Sequence, residues 1–288
     1  MQINHNVRAM VTQHALYQNN SAMSKSLEKL STGLRINRAQ DDAAGLAMSE
    51  QMRSQIRGLG KAKQNAQDGI AALQIAEGGL AEITNMIQRQ RELAIQAATD
   101  TVTSTERNYL NYEYQQLAQE IDRIANTTDY NTINMLNQFG SDGVTVPGRP
   151  ALGTLHVGAN STQSVASQSF SPESNAAQVV YSISVVGNTN AITSRTGAET
   201  SIDQLSAQLK SISGMRATIG SFINRLEYTI NNIASLEYNT QDAESRIRDT
   251  DFGKETTNFT RNQILVQSAT SMLAQANSLP QTVLGLLG

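Results

Sequence analysis

Proline is absent from the first 146 residues of this 288-residue chain, and apolar residues recur there at alternating intervals of three and four. This combination favours very long amphipathic helices, because proline breaks the helix interior. The longest stripe begins after the acidic pair Asp41–Asp42, which suits a helix N-terminus. Its members are Met52, Ile56, Leu59, Ala66, Ile70, Leu73, Leu80, Ile87 and Ala94. We predict one helix of about 55 residues that ends at Ala98 and spans about 80 Å.

Two further helices are predicted in the N-terminal half. The first ends before Gly33, which stands where a C-terminal capping glycine belongs. Its stripe consists of Ala9, Leu16, Met23, Leu27 and Leu30, with Gln13 and Asn20 as polar interruptions. The other follows Thr103, which has capping-box spacing to Glu106. Its stripe consists of Leu110, Tyr114, Leu117, Ile121 and Ile124.

The C-terminal part, residues 201–288, repeats the same rhythm. One stripe is interrupted only by Arg216 and consists of Ile202, Leu205, Leu209, Ile212, Ile219, Ile223, Leu226, Ile230 and Ile233. The last stripe consists of Phe252, Phe259, Val266, Ala269, Leu273, Ala276, Val283 and Leu287. Sustained 3.5-residue periodicity indicates left-handed coiled-coil packing.

The middle of the chain, residues 137–200, is rich in Gly, Ser, Thr and Val. Segments 154–160 and 179–185 alternate β-branched residues between flanking Gly and Asn, which predicts two strands of a small β-hairpin region. A flexible Ser/Thr loop is the alternative on composition. The predicted fold is therefore mainly α: a long antiparallel coiled-coil or helical-bundle rod from both chain termini, with a small β-hairpin region in the middle.

Charge and cysteine content exclude several classes of protein. Charged residues make up 16% of the chain, against about 25% in typical soluble domains. The net charge of −3 provides no basic field for nucleic acid. The absence of cysteine excludes disulfide scaffolds and thiol catalysis. No apolar run approaches the ~20 residues of a membrane span, and the N-terminus lacks the apolar core of a secretory signal, so neither membrane insertion nor a cleaved signal peptide is expected.

No constellation of residues points to catalysis, a metal or a cofactor. The acidic residues Asp41, Asp42, Asp249 and Asp251 stand at predicted helix starts, where capping explains them. The histidines lack metal-ligand spacing and are His5, His14 and His156. We therefore predict that the chain is not an enzyme and binds no metal or cofactor.

Both terminal segments combine apolar stripes with outer faces that are rich in Asn and Gln and poor in charge. A surface of uncharged amides does little to repel an identical surface, and low surface charge promotes association. Contacts between different faces of identical molecules form filaments when the arrangement does not close. The residues themselves thus predict a helical protein that self-assembles through two terminal arms.

Several motifs carry a resemblance to bacterial flagellin. Residues 30–49, LSTGLRINRAQDDAAGLAMS, resemble its N-terminal signature, and residues 1–6, MQINHN, are similar to the start of flagellins from Gram-positive bacteria. Residues 88–96, QRQRELAIQ, resemble the inner rod segment of the family. The C-terminal signature is matched by RDTDF at 248–252, QIL at 263–265, LAQAN at 273–277 and PQTVL at 280–284. Small departures occur at Gln40 and Gly79, where the family commonly has Gly and Ala.

The resemblance implies a three-part organisation. Residues 1–44 and 246–288 form an inner terminal coiled-coil domain with its connecting spokes. Residues 45–170 and 196–245 form a rod domain with the β-hairpin. Residues 171–195 are a minimal variable outer insert, shorter than the roughly 50 residues of the smallest ordinary domains. The chain is thus expected to be a short flagellin without large outer domains.

The resemblance also implies two sets of functional residues. Polymerisation packing is expected from Leu16, Met23, Leu27, Leu30, Phe259, Val266, Leu273, Val283 and Leu287. A charged patch on the rod matches the epitope of the vertebrate innate receptor Toll-like receptor 5, with the expected members Arg89, Leu93, Gln96 and Glu113. On the residues alone, this patch is equally typical of paired charges on a solvated helix face.

A flagellin is expected to be exported unfolded through the flagellar secretion channel and to fold its termini on polymerisation into an extracellular propeller for motility. The implied partners are further copies in a helical filament, an export chaperone, the filament cap, hook-junction proteins and, for the monomer, Toll-like receptor 5. A hook–filament junction protein with the same terminal signatures is the alternative function. A secreted coiled-coil effector or membrane translocator is disfavoured, because it needs a more apolar central helix pair or a strongly basic face.

Overall fold

The computed structural model describes residues 6–136, 155–159, 164–165 and 192–287. Most of these residues lie in five helices, α1 (Val7–Thr32), α2 (Ala43–Ala98), α3 (Ser104–Thr127), α4 (Arg195–Arg248) and α5 (Phe252–Leu287). The mainly helical fold class is confirmed. The 56 residues of α2 confirm the single long helix that the sequence predicts up to Ala98.

Side-chain caps begin three helices where the sequence predicts them. Asp42 accepts a hydrogen bond of 2.8 Å from the backbone N–H three residues on, and Asp251 accepts one of 2.9 Å from the N–H two residues on. Thr103 and Glu106 form the capping box of α3, in which Glu106 Oε2 lies 2.8 Å from the Thr103 amide nitrogen. These bonds satisfy N–H groups that have no partner within the helix.

The two longest helices end against arginine side chains. Beyond the end of α2, the Arg107 guanidinium donates to Ala97 O at 2.8 Å and to Thr99 O at 3.0 Å. Near the end of α4, Arg35 donates from Nη2 to Ile247 O at 2.6 Å. A cation at a helix C-terminus also interacts favourably with the helix dipole.

Two small antiparallel hairpins lie among the described residues. β1 (Asp129–Tyr130) pairs with β2 (Ile133–Asn134), and β3 (Leu155–His156) pairs with β4 (Ser164–Val165). The strand predicted at 154–160 is therefore confirmed only at 155–156. Its described partner, β4, is a segment for which the sequence predicts no strand, and the predicted strand at 179–185 lies outside the described residues.

The β1–β2 hairpin is absent from the sequence prediction. Its turn places Asn131 at φ 48° and Thr132 at φ 67°. Positive φ at both central residues is typical of a type I′ turn, which matches the twist of the flanking strands. The usual signal for such a turn is Asn or Asp followed by Gly, and Thr132 removes that signal.

Gly79 inside α2 allows a close approach of side chains that follow α3. A Cβ atom added at Gly79 would lie 2.9 Å from Leu136 Cδ1 and 3.0 Å from Thr128 Oγ1. Leu136, just after β2, is almost completely buried. The glycine therefore provides the space in which the chain packs on α2 after the first hairpin.

The chain divides into two compact units. Unit 1 comprises Met1–Ile56 and Tyr238–Gly288, and unit 2 comprises Arg57–Glu237. The predicted domain boundaries, at 44/45 and 245/246, differ from these unit boundaries because they were set at the connecting spokes. They stay a prediction. Ile192 belongs to the outer insert that the resemblance implies, but it is fully buried in the core of unit 2.

The core of unit 2 is a heptad seam between antiparallel helices. On α2, none of the seven-residue series Leu59, Ala66, Leu73, Leu80, Ile87 and Ala94 is more than 3% exposed. The same limit holds on α4 for the series Ala198, Leu205, Ile212, Ile219, Leu226 and Ile233. Glu77 contacts Arg216 and Arg91 contacts Ser206, so the two helices run in opposite directions. The seven-residue series predicted for both helices are confirmed, but the alternate positions predicted on α4, at Ile202, Leu209, Ile223 and Ile230, are only partly buried. Ser201, Gln208 and Phe222, each one residue earlier, are the buried ones.

α3 joins this core on a face that differs from its predicted stripe. Tyr114 and Ile121 are fully buried, as predicted, but Leu110, Leu117 and Ile124 are only partly buried. The remaining buried positions are Asn111, Ala118 and Ala125. Small side chains permit a short distance between packed helices, so the alanines rather than the leucines occupy the narrow contact.

In unit 1, α1 lies antiparallel to α5. Asn6 Nδ2 donates to Ala276 O at 2.9 Å at one end of the pair, and the Thr250 amide donates to Gly33 O at 3.0 Å at the other. Gly33 ends α1 in the left-handed conformation, with φ 72°, and this confirms the predicted capping glycine.

The seam of α1 corrects the predicted stripe. Alternate positions were expected at Gln13, Asn20 and Leu27, but these three side chains are exposed, with Leu27 at 56%. The seam positions are one residue earlier, at Thr12, Asn19 and Ser26. A stripe that alternates steps of three and four residues can begin with either step, so Ala9, Leu16 and Met23 fit both sets of alternate positions. The side chains of Thr12, Asn19 and Ser26 are small, and they allow the closer approach of α5.

Candidate functional site

Unit 1 leaves large apolar side chains exposed on the outer sides of α1 and α5. Single exposed apolar residues are ordinary, but a group of them marks an interaction surface. We name this group the arm face; it consists of Val7, Met10, Val11, Tyr17, Leu27, Ile264, Leu265 and Met272, which are between 42% and 74% exposed.

Most of the arm face lies at one end of the α1–α5 pair. The two hydrogen bonds that fix the antiparallel pairing place residues 7–18 of α1 opposite residues 264–276 of α5. No Asp, Glu, Lys or Arg occurs in residues 9–24 or 262–278. This end is therefore uncharged as well as apolar, and little electrostatic repulsion opposes its contact with an identical surface.

The seam between α1 and α5 is only half apolar. The apolar half contains Ala9, Leu16, Met23 and Leu30 on α1 and Phe259, Val266 and Leu273 on α5, all of them partly buried. The alternate positions are polar on α1, at Thr12, Asn19 and Ser26, and include Asn262 on α5. Because hydrophobic stabilisation scales with the apolar area removed from water, this pair gains less than the seam of unit 2.

The structure separates the residues predicted for polymerisation packing. Leu27 lies on the arm face. Val283 and Leu287 belong to α5, but their side chains lie outside the described part of the chain. The partly buried seam between α1 and α5 holds Leu16, Met23, Leu30, Phe259, Val266 and Leu273.

The segment after α1 is held by a short backbone pairing within unit 1. Leu34 pairs with Asp249 in an antiparallel bridge, and the Arg35 amide donates to Arg248 O at 2.7 Å. Arg248, whose side chain is 14% exposed, contacts Glu50 Oε1 at 3.1 Å. These contacts place an ordered crossing of two chain segments beside the ends of α1 and α4.

Asp41 stabilises the tight turn that precedes α2. Its Oδ2 accepts backbone hydrogen bonds from Arg38 at 3.0 Å and from Asn37 at 3.2 Å. The hydrogen bond from the Arg38 N–H is the main cause that lowers the pKa of Asp41, because it favours the charged carboxylate. The structure thus gives Asp42 the capping role that the sequence predicts, whereas Asp41 holds the turn before the helix.

The charged patch predicted on the rod is exposed except for one member. Arg89 contacts Glu113 at 2.9 Å and Glu92 at 3.1 Å, and the hydrogen bond to Glu113 is the main cause that raises the pKa of Arg89. Gln96 is exposed as well. Leu93 is only 1% exposed and packs in the core of unit 2, so its side chain offers no contact to a partner.

Aromatic and aliphatic side chains that the sequence did not single out lie on α2 and α3 near this patch. Tyr109 is 67% exposed, Tyr112 is 66% exposed and Ile95 is 47% exposed. Exposed Tyr and Arg are the residue types that dominate binding energy at protein interfaces. Their positions are outside the heptad seam, which is the one signal that could have found them.

Metal binding and membrane insertion were considered for the described residues. Among them, no group of three or more His, Asp or Glu side chains is placed to hold a metal ion. None of the described helices combines the length and the hydropathy needed to cross a membrane.

Comparison with known proteins gives the family. Residues 3–141 match the family described as "Bacterial flagellin N-terminal helical region". Residues 202–287 match the family described as "Bacterial flagellin C-terminal helical region". The chain belongs to the bacterial flagellin family. The two matches coincide with the helical parts of the chain, and the resemblance inferred from the terminal signatures is confirmed.

Full-length relatives of similar size support this placement. A flagellin of Halalkalibacterium halodurans is 45% identical over 287 residues, and the "Flagellar filament 33 kDa core protein" of Treponema phagedenis is 46% identical over 292 residues. A flagellin of Bacillus subtilis is 42% identical over 303 residues. Each alignment covers all of both chains, as expected for a short flagellin.

Flagellins are structural proteins, and this flagellin is a structural subunit of the bacterial flagellar filament, an extracellular polymer of many copies. The hook–filament junction alternative is not favoured, because the full-length relatives are named as flagellins and filament core proteins.

Proposed function

We propose that this flagellin polymerises through its arm face and that α1 and α5 fold stably only within the filament. The contrast between a half-polar seam and a large exposed apolar face carries this proposal. Among the described side chains of α1 and α5, only Ser26 is buried within the subunit. Contacts with neighbouring copies supply the burial that the isolated pair lacks.

Ordering α1 and α5 costs conformational entropy. Ordering a residue costs roughly 1–2 kcal/mol of backbone entropy, and α1 and α5 together contain 62 residues from their 26 and 36. Burial returns about 25 cal/mol for each Å² of apolar surface. A helix pair that leaves its large apolar side chains in water recovers too little, so folding and assembly are coupled.

Arms that fold only on assembly also agree with the proposed export route and partners. Arms that stay unfolded until assembly suit passage through the flagellar secretion channel, and the chain contains no cysteine that could cross-link on the way. An unfolded arm with exposed Ile264, Leu265 and Met272 is prone to aggregate, which an export chaperone prevents by covering it. The filament cap and the hook-junction proteins meet the subunit where these arms fold.

A pair of substitutions in the full-length chain tests the arm face. Ile264→Asn with Met272→Asn removes two exposed apolar side chains of α5, and Ser268→Asn changes an exposed position of the same helix as a control. Each lost apolar contact is worth about 1.5–3 kcal/mol if fully buried in the filament. In seeded polymerisation followed by sedimentation, we expect the critical concentration of the double variant to rise at least about tenfold. Polymerisation equal to that of the control would contradict the proposal.

We further propose that the exposed rod patch binds Toll-like receptor 5 in the free monomer. Arg89, Gln96 and Glu113 supply polar contacts, and Leu93 contributes only by packing beneath them. In the filament, neighbouring rods cover the same patch. A reporter-cell assay is expected to respond to purified monomer and to lose most of the response with Arg89→Ala. A monomer that produces no response in this assay would contradict the proposal.

A further inference from the structure

The seam of unit 2 repeats so regularly that apolar packing alone specifies its register poorly. Apolar residues recur every seven positions from Leu59 to Ala94 on α2 and from Ala198 to Ile233 on α4. If α4 slipped along α2 by seven residues, about 10.5 Å, most apolar layers would still face apolar layers. Another feature has to distinguish the correct register from its neighbours.

Buried polar side chains interrupt the seam within one short stretch of the two helices. On α2, Gln90 is 2% exposed and donates from Nε2 to Tyr114 O at 3.1 Å. On α4, Ser201 is fully buried and Gln208 is 6% exposed. The contact between Arg91 and Ser206, at 3.2 Å, places these residues of the two helices within about one or two turns of each other.

The chain connections make register a problem for α4 in particular. α2 and α3 are joined by the short segment 99–103, which limits how far α3 can slide. Between the end of α3 at Thr127 and the start of α4 at Arg195 lie 67 residues, so no short connection holds α4 in place. Only contacts made after folding begins can choose its position along α2.

We propose that Gln90 and Gln208 are positioning residues that fix the register of α4 against α2. In the observed register, the two amides share one level of the core. After a slip of one heptad, Gln208 would lie at the level of Ile83 or Ala97 and its amide would be buried among apolar side chains, whereas Gln90 would keep its hydrogen bond to Tyr114 O on α3. Burying an amide without a partner is costly, and single buried polar residues set register in coiled coils by this means.

The register of α4 also determines which exposed side chains of α2 and α4 lie next to each other. Arg91 and Ser206 are both exposed and meet only because α2 and α4 are in this register. A slipped α4 would present different side chains beside α2 while keeping its helical content. Identical subunits in a filament need identical surfaces, so a subunit whose α4 has slipped would not fit the lattice.

The absence of cysteine allows a direct test in the full-length monomer. Arg91→Cys combined with Ser206→Cys reports the observed register. Arg91→Cys combined with Ser213→Cys or with Glu199→Cys reports a slip of one heptad in either direction. Each pair is made with the natural core and with Gln90→Leu plus Gln208→Leu, and intramolecular cross-linking by a short bismaleimide is measured at low protein concentration.

With the natural core, we expect cross-linking of the observed-register pair alone. With the two leucines, we expect cross-linking of at least one slipped pair to rise about tenfold or more, at the expense of the observed pair. Gln88→Leu, at an exposed position of α2, is the matched control and should leave all three pairs unchanged.

Two results would overturn the proposal. One is a leucine core that cross-links only the observed-register pair at the natural yield, because the amides would then be irrelevant to register. The other is a loss of helical circular dichroism in the leucine core, because the amides would then be needed for folding itself. Buried polar groups that serve only to choose a register leave a stable helical core when leucine replaces them.

Discussion

Single side chains decide where the long helices of this flagellin begin and end. Asp42, Thr103 and Asp251 supply N-terminal caps, and Arg35 and Arg107 cover the free carbonyls at the ends of α4 and α2. Helices of 54 and 56 residues have no intrinsic stopping point. Their ends are therefore set by a few polar side chains, and each of these caps is open to mutation.

Removing the Thr103 cap tests this at one position. We expect Thr103→Ala to destabilise unit 2 by about 1 kcal/mol, because the Glu106 amide loses its side-chain acceptor. Thr105→Ala, in the first turn of the same helix, is the control and should change stability by less than about 0.5 kcal/mol. Urea unfolding of the two variants measures the difference, and equal midpoints would show that the capping box adds nothing.

The same capping box predicts a dependence on pH. The Thr103 backbone N–H is the main cause that lowers the pKa of Glu106 below its ordinary value of 4.5, so the carboxylate is bound more favourably in the folded protein. Its contribution is complete above pH 4.5 and is lost as the pH falls through the lowered value. We expect the stability advantage of the natural protein over Glu106→Gln to shrink on acidification, as measured by urea unfolding at several pH values. An advantage that grows on acidification would contradict this.

At the scale of helices, periodicity predicts most of what the structure contains. The seven-residue series from Leu59 on α2 and from Leu205 on α4 are buried as expected, since series that span five and four heptads leave no alternative face. On α1, the apolar residues Ala9, Leu16 and Met23 fit two registers, and the sequence selects the wrong one. Exposure of Leu27 is therefore predictable only once α5 is in place.

The sequence predicts that the terminal arms associate, but it does not predict which side chains form the assembly surface. Low charge and terminal stripes are visible in the sequence, and they indicate self-association. Which apolar side chains remain in water depends on how α1 and α5 pair, so Tyr17 and Ile264 were not singled out. Leu93 shows the opposite error: the resemblance implies an exposed epitope residue, but its side chain lies on the core side of α2.

A neighbouring pair of asparagines distinguishes the two registers of α1. Asn19 is partly buried at the seam, and Asn20 is exposed. We expect Asn19→Leu to stabilise the α1–α5 pair by roughly 1–2 kcal/mol and to increase the helical circular dichroism of the monomer, because it makes one more seam layer apolar. Asn20→Leu should leave the helicity unchanged. The reverse outcome would support the register that periodicity alone suggests.

At the scale of the whole chain, the two units differ in how much stability each can supply. Unit 2 has a mostly apolar core of buried heptad layers, whereas the α1–α5 pair in unit 1 has a half-polar seam and an exposed arm face. A chain with only 16% charged residues can leave such a face uncharged. We infer that unit 2 is stable before assembly and that the arms acquire their stability from neighbouring copies.

Hydrogen exchange read by mass spectrometry, on monomer and on filament, tests this account most directly. We predict that amides of Val7–Thr32 and Phe252–Leu287 exchange rapidly in the monomer and become strongly protected in the filament. Amides of residues 59–97 and 198–233 should be protected in both states. Strong protection of the α1 and α5 amides in the monomer would contradict the coupling of arm folding to assembly.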